Sequence, residues 1–279
     1  GLVGLRSSYG RIPTFGDTHL AQNAVVGAVT TTVADTALLL DVMAGPDARD
    51  RTCLPAPGFS YLRQLDVDLP KLRIAWSLDL GFAVVDPEVA ALTRGAAERL
   101  ISVAAADEVD AKIHLDDYIG IYGKIEGVDK FVGVDRELWE QRLDELDPLV
   151  APGWRKAQTV TLPKSAVVEA ARRRLVHQIA ACFERIDLLL TPMVAAPAFA
   201  AEGPMPTTVA GVSGHAGMHV IHGMLANLCN LPAISIPAGM TKSGLPVGLQ
   251  IVAPRFREDL LLAVAHRYQL AHPWPRHAS

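Results

Sequence analysis

The sequence predicts an α/β fold in which a mixed, mainly parallel sheet is flanked by helices. Short apolar runs of strand length alternate along the chain with longer segments of helical periodicity. Residues that favour helix starts and stops bracket those longer segments. Near the end of the chain, prolines and glycines divide an apolar stretch into two short strands. Such alternation is typical of a sheet that is covered on both faces.

The first half of the chain carries two clear helix starts. One helix is predicted to begin after Thr32, where Asp35 forms a near capping box, and to end at Gly45-Pro46. Its predicted apolar face comprises Val33, Ala34, Ala37, Leu38 and Met43. A buried strand is predicted at Leu72–Trp76. A second helix starts at Asp86-Pro87-Glu88, because an acidic N-cap followed by proline favours a helix start.

The middle of the chain is predicted to form a peripheral helical cap over residues 116–183. Charged helical stretches such as Arg136–Leu146 lead to a longer helix at Ala166–Phe183. The next strand is predicted at Ile186–Leu190 and ends at Thr191-Pro192.

The C-terminal part is predicted as strand, turn, strand and helix. The first strand, Ala233–Ile236, is closed by the proline and glycine of residues 237–239. Ser243-Gly244 supplies a turn before the second strand, Val247–Val252. The closing helix at Arg257–Leu270 is predicted to bury Leu260, Leu261, Val264 and Tyr268.

Composition excludes several classes of partner. The formal charge of -4, from 26 basic and 30 acidic residues among 279, gives no basis for nucleic acid or an anionic membrane as partner. No apolar run reaches the roughly 18 residues of a membrane span.

Cys53, Cys182 and Cys229 lie far apart in the sequence, so we predict a reducing, cytoplasmic compartment. The chain starts at Gly1 within a structured-looking segment, and we expect a processed or truncated product.

Six blocks of the sequence form an ordered set of motifs: G-L-V-G-L-R-S-S-Y-G-R-I-P at 1–13, G-A-V-T-T-T-V-A-D at 27–35, A-G-P-D-A-R-D at 44–50, and the segments 80–91, 187–192 and 227–254. Taken in order, these blocks resemble the motifs of the amidase signature family, whose members are serine hydrolases that cut carbon–nitrogen bonds. Each block alone would be a weak signal, but their shared order makes the resemblance specific. Ser7, Ala28 and Thr31 depart from the family pattern, which usually has proline, proline and arginine there.

The resemblance implies a Ser-Ser-Lys mechanism, in which one serine attacks the amide and a second relays its proton to a neutral lysine. Backbone amides of a glycine- and serine-rich loop stabilise the oxyanion. In the family these residues precede the block that starts here at Gly1, and this sequence contains no such loop. We therefore expect residues 1–279 to be the C-terminal part of a single amidase-like α/β/α domain, incomplete on its N-terminal side. No catalytic residue and no cofactor are assigned, and the implied substrate is a small-molecule amide.

Two serine motifs resemble nucleophile sites. Ser7-Ser8 has neither a flanking glycine loop nor a lysine in its block, so an ordinary polar pair at a strand end is favoured. Gly211–His215 approaches the G-x-S-x-G elbow around Ser213, but its last glycine is missing and no strand-to-helix turn is predicted. A flexible loop is the favoured interpretation of this second motif.

Three histidines, His215, His219 and His222, would share one face of a helix. Three imidazoles can bind zinc, but no H-E-x-x-H glutamate is present and the preceding residues are rich in glycine. We therefore assign no metal and favour a polar pocket wall. The resemblance places this segment beside the substrate pocket, which makes His219 and His222 pocket candidates.

Asn227 and Cys229 complete the pocket candidates. The amide of Asn227 can donate and accept in a tight turn before a buried strand, and a purely structural asparagine fits the pattern equally well. For Cys229 a small buried hydrophobe is favoured. Amidotransferase members of the family tend to carry an acidic residue about two turns earlier. Here Val220 and its neighbours are neutral or histidine, which argues against that subclass.

Three functions stay open on the sequence alone. The first is an amidase-family hydrolase that is competent only with a missing N-terminal half. The second is a non-catalytic remnant or binding module of the same fold. The third is a histidine-based metalloenzyme. Unpaired strand edges favour association, so the missing half or a second copy of the chain is the expected macromolecular partner.

Overall fold

The structure is a computed structural model that describes residues 1–14, 23–129, 136–148, 151–214 and 217–275. The strands of these ranges are β1 (Val3–Arg6), β2 (Gly27–Thr30), β3 (Arg73–Trp76), β4 (Asp107–Glu108), β5 (Leu188–Pro192), β6 (Thr208–Val209), β7 (Val212–Ser213), β8 (Ala233–Met240) and β9 (Pro246–Val252). The helices are α1 (Val33–Met43), α2 (Pro87–Val103), α3 (Ile119–Asp129), α4 (Arg136–Gln141), α5 (Ala151–Ala157), α6 (Leu162–Phe183), α7 (Ile221–Cys229) and α8 (Glu258–Ala271). Short 3₁₀ turns lie at Leu62–Gln64, Leu143–Glu145 and Met218–Val220.

The main sheet is mixed and flanked by helices, as the sequence predicts. Its strand order is β2-β1-β8-β9-β5-β3-β4, and β6 pairs with β7 in a separate ribbon. The prediction of mainly parallel strands is wrong for the described residues, because only β5-β3 and β3-β4 are parallel. The other four pairings are antiparallel. The link between β8 and β9 at residues 241–245 is too short for the crossover helix that parallel strands require.

The β8–β9 hairpin continues past the residues that are predicted to end its first strand. Strand β8 runs to Met240, and a register shift lies between Pro237 and Gly239. Such a bulge lets the strand bend and continue, so the prediction that residues 237–239 close it is wrong. Gly239 has a φ of 150°, and a Cβ there would lie 3.1 Å from the side chain of Leu92.

Side chains alternate between two cores, one on each face of the sheet. Leu188 and Leu190 of β5 lie in the core covered by α1, α2 and α8, whereas Leu189 lies in the core covered by α6 and α7. In β1, Val3 and Leu5 lie in the first core, so Gly4 and Arg6 face the α7 side. This alternation decides which residues can line a site beside α7.

The predicted helix starts are confirmed. The side chain of Thr32 accepts from the Asp35 backbone N–H at 3.1 Å, and that of Asp86 accepts from the Glu88 N–H at 2.8 Å. In α8 the four residues that are predicted to be buried all lie in the core. The prediction for Leu38 is wrong, because α1 turns Val33, Thr36, Ala37 and Leu40 inwards and leaves Leu38 about half exposed. Helix α6 starts earlier than predicted, since its first turn accommodates a proline.

Glu258 joins the segment after β1 to the start of α8. Its fully buried carboxylate accepts from the Ser8 backbone N–H at 2.7 Å, and its second oxygen lies 3.9 Å from Nε of Arg11. The hydroxyl of Ser8 in turn accepts from the Phe256 N–H at 2.8 Å. A carboxylate at a helix N-terminus also interacts favourably with the helix dipole.

His222 joins α7 to the loop after β3. Its buried ring lies with Nε2 2.8 Å from the backbone oxygen of Leu78, and because that oxygen can only accept, Nε2 carries the proton. Burial lowers the pKa of His222 to about 4, although the Leu78 carbonyl and the charge of Asp79 act in the opposite direction. The imidazole is therefore neutral at pH 7 and serves as a hydrogen-bond donor.

Two further observations concern the helices and the cysteines. Across the described ranges, no helix combines the length and the apolar character that a bilayer crossing needs. Cys53, Cys182 and Cys229 are all free thiols.

Replacing Glu258 should reveal how much its buried carboxylate contributes to folding. Glu258→Ala leaves the buried Ser8 N–H without its acceptor and removes the carboxylate beside Arg11 Nε, and we expect the free energy of unfolding to fall by about 3 kcal/mol. Glu258→Gln should cost less, because its amide oxygen still accepts from Ser8. Urea denaturation measures both, with exposed Glu98→Ala as the control at about 0.5 kcal/mol or less. Equal losses for Glu258→Ala and the control would contradict this role.

Neutral His222 should make stability depend on pH. Below pH 6.5, the ordinary pKa of histidine, His222 of the unfolded chain binds a proton, whereas His222 of the folded chain does so only below about pH 4. The free energy of unfolding therefore decreases as the pH falls through this window, by up to roughly 3 kcal/mol. His222→Gln should remove this loss in urea titrations between pH 7 and 4.5, whereas exposed His177→Gln should keep it. Parallel pH curves for wild type and His222→Gln would refute the expectation.

Candidate substrate pocket

Two adjoining cavities open on the face of the sheet beside α7. Their volumes are about 330 and 470 Å³, and both are lined by Gly4, Arg6, Tyr122 and Asn227. Gly4 pairs with Ser235 across the β1–β8 ladder, which brings the serine of β8 to the same face. The site therefore combines strand residues with the exposed side of α7 and with Tyr122 from α3.

The larger cavity has one polar and one apolar wall. Ser235 and Gln250 are directly paired across the β8–β9 hairpin and supply polar groups. The Gln250 amide nitrogen is held by Thr191 Oγ1 at 2.9 Å and by the His222 backbone oxygen at 3.2 Å. The apolar wall comprises Met193, Val220, Gly223, Met224 and Ala226. A lining that combines fixed polar groups with flexible methionines suits a small ligand that has both polar and apolar parts.

Gly223 lines this cavity, and Gly248 lies against Ser235 and Met193, which also line it. A Cβ on Gly223 would meet the terminal methyl of Met193 at 2.9 Å, and that flexible tip can move aside. A Cβ on Gly248 would lie 2.7 Å from Ser235 Oγ and 3.2 Å from the Met193 Cβ. Both atoms that face Gly248 lie close to their own backbones, so they have little freedom to shift.

The smaller cavity contains a buried positive charge. Arg6 donates from Nη1 to the backbone oxygen of Asn23 at 2.9 Å, while its Nε and Nη2 are shielded from solvent and have no partner among the described residues. Burial lowers the pKa of Arg6 to about 10, so the guanidinium stays protonated at neutral pH. No aspartate or glutamate of the described ranges lines either cavity.

Asn227 is the one predicted pocket candidate that lines both cavities. It lies in the last turns of α7, and its Nδ2 is 3.5 Å from the Tyr122 hydroxyl. The turn that the sequence predicts around it is formed instead by Asn230, which has a left-handed φ of 56°. The sequence analysis predicts no helix with these bounds, and α7 presents Asn227 from a regular helix instead of a turn.

Other pocket candidates lie outside the lining of the two cavities. His222 and Cys229 are buried in the packing around α7, and burial raises the pKa of the Cys229 thiol to about 12. His219 lies in the Met218–Val220 turn, with its ring edge-on to Phe199 at 5.5 Å. His215 falls outside the described residues. Within those residues, no three His, Cys, Asp or Glu side chains lie close enough together to hold a metal ion.

The serines of the two motifs do not line the cavities either. Ser7 and Ser8 are buried, and Ser8 is committed to Glu258 and Phe256. Ser213 lies in the exposed β6–β7 ribbon rather than at a strand-to-helix turn. This agrees with the strand-end interpretation of Ser7-Ser8, whereas Val212 and Ser213 belong to a paired ribbon rather than to the predicted flexible loop.

Several lining residues were not predicted from the sequence. Ser235 and Gln250 could have been predicted as lining residues, since each is a polar residue inside an apolar strand. The sequence indicates Arg6 less strongly, because its only sign is that it alternates with the core residues of β1. Nothing in the sequence indicates Asn23 or Tyr122, since they reach the site only through contacts that are distant in sequence.

Comparisons with known proteins agree on one family. The family model described as Amidase matches residues 1–262. An acylamidase of Rhodococcus erythropolis is 32% identical over 290 residues, covering 98% of this chain and 58% of that protein. A glutamyl-tRNA(Gln) amidotransferase subunit of Pseudomonas putida (strain W619) is 31% identical over 297 residues, covering 98% of this chain and 60% of that protein. The chain thus spans about 60% of the length of these relatives.

Solved structures share the fold. A bacterial aryl acylamidase of the amidase signature enzymes superposes with a TM-score of 0.83 at 22% identity, covering 98% of this chain and 59% of that one. The 6-aminohexanoate cyclic dimer hydrolase in complex with substrate gives a TM-score of 0.77 at 27% identity, with 98% and 61% covered. From the family match over residues 1–262 and this common fold, we conclude that the chain belongs to the amidase signature family.

Proposed function

We propose that this chain forms the substrate-pocket part of an amidase that hydrolyses carbon–nitrogen bonds in small amides. We further propose that its serine nucleophile, relay serine and lysine lie outside these 279 residues. The observation that carries the proposal is the two-cavity pocket of Arg6, Tyr122, Asn227 and Ser235, found in a chain that belongs to an amide-cleaving family.

The chemistry of the cavity lining supports an external nucleophile. Amide hydrolysis by a serine needs a base that removes the hydroxyl proton and donors that stabilise the oxyanion. Ser235 is a serine of the larger cavity, yet no described lysine, histidine, aspartate or glutamate lines that cavity with it. A hydroxyl without such a base is a weak nucleophile, so Ser235 is better suited to positioning the substrate.

The polar wall of the larger cavity suits an amide ligand. Ser235 and Asn227 each offer both a donor and an acceptor, which is what an amide group requires. The names of the relatives indicate acyl amides for one and a tRNA-linked reaction for another. We favour a small amide, since Val220 and its neighbours lack the acidic residue expected of the second class. A non-catalytic binding module of the same fold is the competing function.

Labelling by a fluorophosphonate locates the nucleophile. The native protein that contains this chain is treated with the probe, its intact mass is measured, and the modified peptide is mapped. We expect one adduct on a serine outside residues 1–279, because the described lining supplies no activated serine.

The outcomes of labelling separate the functions. An adduct on any serine within these residues would refute the external nucleophile, and Ser235→Ala would show whether that serine is responsible. A native protein that forms no adduct and hydrolyses none of a panel of simple acyl amides would be a binding module instead.

Loss of the Asn227 amide should weaken catalysis by the native enzyme. Removing one neutral hydrogen bond to substrate costs about 1–1.5 kcal/mol, so Asn227→Ala should lower kcat/KM for an acyl amide about tenfold. Gln64→Ala, which removes an amide from the distant 3₁₀ turn, serves as the control. Unchanged kcat/KM in a folded Asn227→Ala enzyme would exclude Asn227 from the site.

A further inference from the structure

We propose that Tyr122 is a partition between the two cavities and limits the length of the carbon chain that the larger cavity accepts. The amide end of the ligand rests on the proposed function, whereas the partition is tested by binding and does not require turnover. Tyr122 is then a specificity-determining residue that α3 contributes from outside the sheet and outside α7.

Tyr122 is one of four residues that line both cavities, and it differs from the other three in size and origin. Gly4 has no side chain, and Asn227 has a short one. Arg6 is held by the Asn23 backbone oxygen at 2.9 Å, while its Nε and Nη2 are shielded from solvent. Among the four, the Tyr122 ring is therefore the one bulky group that does not belong to the sheet.

The backbone that carries Tyr122 is anchored on both sides. One turn earlier, the buried Tyr118 donates from its hydroxyl to the Ile221 backbone oxygen at 3.0 Å and packs edge-on against Phe82. One turn later, Ile125 lies in the core. Residues four and three positions away share a helix face with Tyr122, so these contacts fix where its ring enters the site.

The ring of Tyr122, rather than its hydroxyl, forms the partition. Nδ2 of Asn227 lies 3.5 Å from that hydroxyl, which is the outer limit of a hydrogen bond. A contact of this length contributes little to holding the ring, whose position depends on α3. Loss of the hydroxyl should therefore leave the partition in place, whereas loss of the ring should remove it.

The cavities on the two sides of the ring have compatible linings. Their volumes of about 330 and 470 Å³ both lie in the lower half of the range of roughly 300–1,000 Å³ for small-molecule sites. Met193 and Met224 give the larger cavity an apolar wall, and Ala24, Val25 and Val29 give one to the smaller cavity. Both sides can therefore take methylene groups, and removal of the ring would join them into a longer apolar path.

The ligand class follows from these walls. Ser235 and Gln250 line the larger cavity only, together with the two methionines. An amide held by Ser235 places its carbon chain against the methionines, and a chain that outgrows the larger cavity meets the Tyr122 ring. The native protein thus accepts short straight-chain aliphatic amides and excludes longer ones.

Methyl ketones measure this limit without turnover, because a methyl group replaces the amide nitrogen and no carbon–nitrogen bond is present. Isothermal titration of the native protein with the straight-chain series of four to ten carbons gives one affinity for each length. Burial of each added methylene should tighten binding about fourfold until the larger cavity is full, after which the affinity stops rising. A steady rise through the whole series would overturn the partition.

Substitutions of Tyr122 assign the limit to its ring. In Tyr122→Ala the length at which affinity stops rising should increase by at least about two carbons, so a ketone beyond the wild-type limit should bind about tenfold tighter. Tyr122→Phe keeps the ring and should keep the wild-type limit. If Tyr122→Ala does not fold, Tyr122→Leu, with a smaller apolar side chain, should shift the limit in the same direction. An unchanged limit in the folded smaller variant, or an equal shift in Tyr122→Phe, would refute the partition.

Binding and turnover test the partition and the hydrolase separately. A limit that lengthens in Tyr122→Ala, in a protein that hydrolyses none of the corresponding amides, would support the partition and contradict the proposed hydrolase. Hydrolysis of these amides with the same dependence of KM on chain length in wild type and Tyr122→Ala would support the hydrolase and overturn the partition.

Discussion

The hydrogen-bonded hairpin of β8 and β9 holds the sheet together, because each of its strands also pairs outwards. Strand β8 pairs with β1 and β9 pairs with β5, so the antiparallel and parallel parts of the sheet meet at this hairpin. Its register places Ser235 opposite Gln250 and beside Gly4. A slip of one residue would turn every one of these side chains into the opposite core. The composition of the pocket therefore depends on strand register more than on any single side chain.

Two charged side chains beside β1, one buried and one largely buried, have different surroundings in the fold. Glu258, on the α8 side, has a backbone N–H donor and a nearby guanidinium, so its charge is part of the framework. Arg6, on the α7 side, has one backbone acceptor and a fork that no described residue uses. Unsatisfied groups of this kind reduce stability, and in native proteins they are concentrated where ligands bind. The contrast separates the structural face of the sheet from the face that holds the pocket.

The sequence predicts those features that depend on neighbouring residues. The helix starts at Thr32 and Asp86 depend on side chains two or three positions away, and both predictions hold. Strand direction is predicted less well, since the order of strands in the sheet is a matter of distant contacts. The end predicted for β8 is wrong because proline and glycine form a bulge there. For the site, the sequence predicts Asn227 as a lining residue. Arg6 stands out only in the structure, where no aspartate or glutamate of the described residues lines the cavities with it.

Gly248 shows how closely the backbone packs against two residues that line the larger cavity, Ser235 and Met193. Its neighbours are the hydroxyl of Ser235 and the Cβ of Met193, which are both close to their own main chains, whereas Gly223 faces only the mobile end of Met193. Sequence libraries that vary the shape of the cavity would accordingly find tolerated changes at the methionines and at the helix glycine. The hairpin glycine would be nearly invariant in such libraries, because a methyl group there would disturb the strand pairing on which the fold depends.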